Sequence, residues 1–581
     1  MIHGTVGRRW SWLLLAGLLL ALLASAVRSD AVGAGEREIT FRMAALSLAW
    51  DGDLTYGRVD YDRYVRLLGG EPAAIALESS SGGARIGFAR PPAYALLAAP
   101  FVRISPRWGP PLLNWLLLAV AAAGSALVLE RRIGPWAPAW IAVFVAGTTA
   151  FTLLPLPSPG TFRLAASALA WTLVVHVMPA SGRRPLRGAA LRWSLVGFLL
   201  ALATVASADG LSLLPALAAA ACLALLQPRR GAAFLALAMT AVLTAGASLG
   251  VSALARGGFA AVERAVFDPS TGFPAVDFEA EEWSLDPASA RSLPLRPAPD
   301  LGAVLAVDSE TLFHAVAGRT IGIAPYCAPL VWAALSGLFV AGWRRALLLG
   351  GIASVAARVV LFPFDLGDES VLCGPGGIGA VLPMFWFLAD RLRLARIAAV
   401  AASSALFLYP LWLRPAAAFG PSPAPEGALH RFLPVETGQR PRAGEPADLF
   451  ADGVWLRPVA GRITSFGESG LLVEGGSAEF LVAWEPAAPA SRETDDEGSR
   501  PRLRILLERE GPALEVVGAE VEESRPLPSG RRSVRLLLDA PEARHRMWWS
   551  NGSVDLFRLG LTLDGGDDPA SKHVLGIGSV P

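Results

Sequence analysis

Acidic and basic side chains crowd into one short stretch, Glu36-Arg37-Glu38-Ile39-Thr40-Phe41-Arg42, and the stretch closes at Asp51-Gly52-Asp53. Carboxylates accept protons and bind hard cations, while guanidinium groups bind anionic oxygens in pairs. Asp51 and Asp53 form an Asp-x-Asp pair whose oxygens suit a divalent cation, Mg²⁺ or Mn²⁺. Each feature also has a plainer origin. Glu36 and Glu38 stand at the start of a short helix expected over 39–50, where a helix N-terminus favours negative charge. An Asp-Gly step is a common way to end a helix. Within this helix Phe41, Ala44, Ala45, Leu48 and Ala49 recur at helical spacing, the pattern of an amphipathic helix lying on a membrane surface.

The rest of the chain must hold that stretch in position, and its composition says how. Of 581 residues, 53% are hydrophobic and 17% charged; soluble domains carry about 25% charged residues. The Leu/Ala/Val runs identify a polytopic membrane protein. A net charge of +1 argues against nucleic acid, which needs a concentrated basic face. Lys572 is the only lysine, so the basic residues are almost all Arg. Cys222, Cys327 and Cys373 are too few for a disulfide framework, though Cys327 and Cys373 both fall near outward span ends. No Walker A, Rossmann, HExxH, GxSxG or paired CxxC pattern stands out.

Residues 1–28 read as a first transmembrane helix retained as an anchor, although Arg8-Arg9, a Leu/Ala run and Ala24-Ser25-Ala26 also fit a cleaved signal peptide. A polar loop over 29–108 follows, with a second apolar segment, Pro91 to Ile104, too short for a span and read as interfacial or re-entrant. Within 109–414 ten spans come in order, at about 110–129, 135–154, 162–179, 193–208, 210–227, 232–255, 320–343, 346–364, 377–390 and 395–413. With the first helix they make about eleven. The turns holding Arg131/Arg132, Arg183/Arg184, Arg229/Arg230, Arg344/Arg345 and Arg391/Arg393 share one side with Arg8/Arg9, and the opposite short turns hold almost no basic residues. That asymmetry sets the Arg-rich side as cytoplasmic. The loops 29–108 and 256–318 and the tail then face outward. A Pro/Ala-rich linker, 415–429, leads to 430–581, where short alternating runs separated by Gly- or Asp-rich turns suggest a β-sandwich.

Several segments, in order, resemble a known family. Glu38-x-x-Phe41 followed by Ser47-Leu48-x-x-Asp51-Gly52-Asp53-Leu54 is similar to the first outer loop of bacterial GT-C glycosyltransferases. These are integral membrane enzymes that move a sugar from a polyprenyl-phosphate carrier. Arg90 to Phe101, Gly322-Ile323-Ala324-Pro325-Tyr326-x-Ala328-Pro329, the Gly-rich turn 374–383 and His430 to Glu436 resemble later family segments. The resemblance implies a GT-C-like fold in the bacterial inner membrane. It implies a cytoplasmic N-terminus, a periplasmic C-terminal domain and a lipid-linked sugar donor as partner.

It also implies roles. Glu38, or Glu36 beside it, would be the general base at the acceptor hydroxyl. Arg37, Arg42, Arg85 or Arg90 would meet the donor phosphate. Apart from the resemblance, Asp365, Asp368 and Glu369 gather on the outer side before the Gly-rich turn, where they would either line the same cavity or be solvated loop charge, and Tyr326 is a further cavity-lining candidate. Arg358, inside a span, would either snorkel to the interface or point into a lipid-phosphate cavity. Two departures matter: Arg37 stands where the family has its catalytic Asp, and Gly379-Ala380-Val381 stands where relatives carry Asn-Arg-Tyr after the Gly-rich turn. A non-catalytic relative that binds a lipid-linked glycan is therefore the first rival, and a transporter or flippase the second.

Overall fold

The structure is a computed structural model. It describes residues 2–28, 36–79, 85–178, 188–207, 210–227, 230–256, 258, 263–267, 273, 291–292, 309–318, 321–361, 376–389, 392–413, 429 and 433, and nine strands between 454 and 579. The chain divides into two compact units.

The first unit, Met1–Leu295, Ala315–Ala418 and Gly427–Leu433, is mostly helical. It opens with α1 (Ile2–Arg28), α2 (Glu36–Trp50), α3 (Arg58–Leu68), β1 (Ile75–Ser79), β2 (Ile86–Phe88) and α4 (Pro92–Ile104). There follow α5 (Gly109–Ile133), α6 (Ala137–Ala146), α7 (Pro159–Val177), α8 (Ala189–Val205), α9 (Leu214–Leu225) and α10 (Arg230–Arg256). Among the described residues five helices are long and apolar enough to cross a membrane: Val6–Val27, Gly109–Ile133, Pro159–Val177, Arg230–Ala255 and Leu394–Leu413. The other expected spans hold shorter or broken helices, such as Ala137–Ala146, Ala328–Gly337 and Leu382–Trp386. α10 shows why this unit needs a lipid environment. Leu235, Val242, Leu243, Leu249 and Leu254 all lie open on its outer face, a stripe that water would not tolerate on a stable soluble protein.

Small residues let the helices approach. A Cβ at Gly197 of α8 would meet the Leu237 carbonyl oxygen of α10, and the Thr240 hydroxyl lies 3.0 Å from the Ser194 carbonyl across the same crossing. Such hydrogen-bonded, small-residue crossings hold helices together where lipid supplies no hydrophobic drive. At the Arg-rich end, Arg8 pairs with Glu130 at 2.6 Å and Ser11 donates to the Pro135 carbonyl at 2.6 Å. Arg8 and the Arg131/Arg132 turn therefore share one end of the unit. Cys327 is a buried free thiol.

The two long loops pair with one another. β1 hydrogen-bonds to β2 on one edge and to β3 (Glu263–Phe267) on the other, and β3 pairs with β4 (Arg291–Ser292), all antiparallel. β3 comes from the loop over 256–318, so the register Ile75↔Phe267 to Ser79↔Glu263 ties the second loop to the first. β1 is buried along its whole length.

The second unit comprises Arg296–His314, Phe419–Glu426 and Pro434–Pro581. Its strands are β5 (Val454–Phe466), β6 (Gly470–Trp484), β7 (Leu503–Glu510), β8 (Leu514–Val517), β9 (Glu520–Pro526), β10 (Arg531–Leu538), β11 (Ala543–Arg546), β12 (Ser553–Leu563) and β13 (Lys572–Ser579). They form one antiparallel network in the order β11-β12-β6-β13-β7-β10-β9, with β5 on β6 and β8 on β12. The network forks at β6. One half of that strand, 477–484, pairs with β12 and the other half, 470–474, with β13. The β5–β6 register shifts twice between Pro458 and Arg462, opposite the junction of those halves.

Candidate functional site

α2 carries the acidic stretch, but it does not lie on a surface. From Glu38 to Leu46 every side chain of α2 is buried, which corrects the amphipathic surface helix expected from its periodicity. α4 covers one side, where the Phe41 and Tyr94 rings meet edge-to-face at 5.6 Å. β1 covers another, where the Ala76 N–H donates to the Thr40 hydroxyl at 3.0 Å. The Arg103 guanidinium donates to the Ala49 carbonyl at 3.0 Å and ties the far ends of α2 and α4. Ala44, Ala45 and Ala49 make these close approaches possible. Apolar spacing alone looked one-sided because the polar positions, Glu38, Thr40, Arg42 and Ser47, are covered by segments distant in sequence.

Two of the expected site residues come together there. Glu38 is 0% exposed and Arg42, one helical turn later, 3%. A buried charge needs a compensating partner. Burial holds the Arg42 pKa below the usual arginine value; Tyr64, Tyr94 and Glu38 act against that shift, and Arg107 adds to it. Glu38, Arg42 and Asn114 all lie near the Tyr94 hydroxyl. The Asn114 amide donates to the carbonyls of Leu156 at 2.7 Å and Leu154 at 3.2 Å, which draws the turn before α7 onto α5. Phe162 of α7 faces Tyr94 with ring centres 6.3 Å apart. Buried polar groups from α2, α4, α5 and the start of α7 thus share one region.

Asp51 and Asp53 have structural partners. Both oxygens of Asp51 accept from Arg63, each at 2.7 Å, and Arg63 also donates to Asp60 at 3.1 Å. Asp53 accepts from the Thr55 N–H at 3.0 Å and the Ser47 hydroxyl at 3.2 Å, closing the turn after α2. This donor set does not fit a divalent cation, because the Asp51 oxygens already face a guanidinium. No cluster of three or more His, Cys, Asp or Glu suited to a metal occurs among the described residues. Asp60, nine-tenths or more buried, has its carboxyl pushed up to about 6, first by burial, with the Gly57 N–H and Arg63 acting the other way.

The remaining expected residues are spread out. Glu36 opens α2, and Arg37 follows it half-buried. Arg85 is exposed just before β2, and Arg90 is half-buried just after it. Tyr326 is buried at the end of the short helix Ile323–Tyr326. Asp365, Asp368 and Glu369 lie outside the described residues. Arg358 is buried on the helix Trp343–Leu361 instead of snorkelling. Its guanidinium occupies the space a Cβ on Gly377 would need, so the bare backbone of the Gly-rich turn accommodates it.

Motif reading missed Tyr94, Asn114, Tyr64 and Arg107. Asn114 did carry a signal, as a polar residue inside an apolar span, a default mark of function in membranes. Tyr94 is the only uncharged polar side chain in the segment 91–104.

Two crystal structures of ArnT from Cupriavidus metallidurans are similar to this chain. Against the form bound to undecaprenyl phosphate the TM-score is 0.41 at 14% identity, covering 69% of this chain and 64% of that one. Against the apo form it is 0.37 at 16% identity, covering 66% and 62%. The chain spans a little under two thirds of the length of those proteins. No protein-family model matches the chain, and no curated protein does.

Proposed function

We propose that the protein is a GT-C-like membrane glycosyltransferase that moves a sugar from a polyprenyl-phosphate carrier to an acceptor on the periplasmic face. The observation that carries this reading is the buried Glu38–Arg42 pair beside Tyr94, at the head of the outer-loop motif. Glu38 takes the proton from the acceptor hydroxyl. That oxygen forms the new bond to the sugar's anomeric carbon as the carbon–oxygen bond to the carrier phosphate breaks, and the phosphate leaves with the electron pair. Arg42 is the buried cation one helical turn from the Glu38 carboxylate. Arg358, a buried cation at the Gly-rich turn, stands in for the missing family Arg as a charge for the departing phosphate. No step here runs through a metal ion.

The wider architecture belongs to the same reading. About eleven spans cross the inner membrane, with the broken helices completing crossings, and the N-terminus is cytoplasmic. The C-terminal unit is a periplasmic β-sandwich, its two layers diverging where β6 changes partner from β12 to β13.

The test is transfer by the purified protein from a panel of labelled polyprenyl-phosphate sugars. Glu38→Gln should lower turnover about 10²- to 10⁴-fold, the worth of a general base, with carrier binding kept. Glu36→Gln should transfer at the wild-type rate. Undiminished transfer by Glu38→Gln would sink the assignment. Arg37 at the family's Asp position supports a second reading, a non-catalytic relative that binds a lipid-linked glycan. Carrier binding without transfer from any donor would favour it.

A further inference from the structure

The Arg-rich end of the helical unit brings cations from several helices together. Arg131 and Arg132 end α5, Arg192 stands in the first turn of α8, and Arg344 is the second residue of the helix Trp343–Leu361. His176, exposed in the last turn of α7, lies near Arg131, Arg132 and Arg192. Arg132 is fixed in place: it donates to the carbonyls of Val175 and Met178 at the end of α7, the second at 2.7 Å. Its guanidinium also lies 5.4 Å from the centre of the Trp343 ring, and that of Arg344 lies 5.5 Å from the same ring.

Like charges gathered this way repel, and what offsets them within the unit is small. The C-terminus of α7 presents about half a negative charge, and one indole ring is a weak partner for two cations. Glu130 is the only carboxylate on α5, α7, α8 and the helix Trp343–Leu361. It is already held by Arg8 at 2.6 Å and by Trp12 at 3.2 Å.

Arginines at the end of a span are ordinarily solvated, and salt then screens their charge. Two observations set this cluster apart. Nη1 of Arg192 is buried, out of reach of water, and makes no hydrogen bond. An apolar stripe also starts beside it, for Leu191, Leu195 and Phe198 recur on one face of α8 and are 75%, 43% and 42% exposed. A free anion would answer the charge and leave the stripe bare. A zwitterionic phospholipid would cover the stripe but add an ammonium among the arginines. An anionic phospholipid does both, because its phosphate oxygens accept from guanidinium groups while its chains cover apolar surface. Basic pockets between transmembrane helices take such head groups.

We infer that Arg131, Arg132, Arg192 and Arg344 bind the phosphate of an anionic phospholipid whose acyl chain lies along Leu191, Leu195 and Phe198. The site is separate from the Glu38–Arg42 region, since Asn114 and Arg132 are 18 residues apart on α5, about 27 Å along a helix. It stands whether or not the protein transfers a sugar.

Lipid binding to the delipidated full-length protein in detergent tests this. The probes are phosphatidylglycerol, phosphatidylcholine, polyprenyl phosphate and inorganic phosphate. Wild type should bind phosphatidylglycerol several-fold more tightly than phosphatidylcholine. Arg131→Gln and Arg192→Gln should each weaken phosphatidylglycerol about fivefold, the worth of one basic residue against anionic lipid, and leave phosphatidylcholine unchanged. Arg58→Gln, which removes an exposed arginine of α3, should bind as wild type does. Equal affinity of wild type for the two phospholipids, no weakening in either variant, or the same loss in Arg58→Gln would overturn the site. Displacement of phosphatidylglycerol by millimolar inorganic phosphate would make it a free-anion site instead. An equal loss of polyprenyl phosphate binding in the two variants would make it part of donor binding. A lower unfolding temperature for lipid-free Arg192→Gln would assign that arginine to packing and overturn its role in the site.

Discussion

Replacing Arg63 with methionine should loosen α3 strongly at pH 7.5 and only weakly at pH 5. Arg63 is 5% exposed, binds Asp51 through two bonds of 2.7 Å and reaches Asp60 at 3.1 Å. The Asp51 side chain is 35% exposed, so that pair is discounted for solvent screening to about 1 kcal/mol. Asp60 supplies the larger effect. Its carboxyl stands at about 6 against an ordinary 3.8, a gap worth about 3 kcal/mol. The folded state therefore holds the proton more tightly than the unfolded state. Stability is highest below pH 4 on this account and falls as pH rises through the window from about 4 to 6. Above it the buried carboxylate relies on Arg63, and leaving it without that hydrogen-bond partner adds about 1–3 kcal/mol to the Asp51 loss. The total, about 2–4 kcal/mol, corresponds to roughly 30- to 1,000-fold faster hydrogen exchange for the α3 amides. At pH 5, with Asp60 protonated, the loss should be about fivefold, the Asp51 share alone. Adding Asp60→Asn should restore most of the protection at pH 7.5. Exchange that accelerates equally at both pH values, or a double variant no better than the single one, would refute this account.

Two glycine substitutions probe the close approaches. Gly377→Ala should destabilise by about 1–3 kcal/mol, because its Cβ would occupy the place of the Arg358 guanidinium; Arg358→Ala in the same chain should recover most of the loss in a thermal unfolding series. Gly197→Ala should lower the unfolding temperature by forcing α8 away from the Leu237 carbonyl, whereas Gly124→Ala in α5, with nothing within 4 Å, should be neutral or slightly stabilising through helix propensity.

Hydropathy was enough to identify a helical membrane protein and to mark its five long apolar helices, because lipid demands long apolar runs and internally satisfied backbone. Alternation after residue 454 marked most of the strands, but it missed β11 and β13 and split β6 in two. Glu38 and Arg42 were legible as candidates, since both stand in the short charged stretch that resembles the family's first outer loop. Residue order did not reveal what covers them. The period of α2 reads the same for a helix half in water and for one wrapped by α4 and β1. The Asp-x-Asp pair reads the same for a cation site and for a turn held by Arg63. Asn114 lies 76 residues beyond Glu38, and only the folded chain brings its side chain to the Tyr94 hydroxyl. Periodicity records which positions are apolar; whether a polar position is buried, and against which partner, depends on segments remote in sequence, and that is a property of the tertiary structure alone.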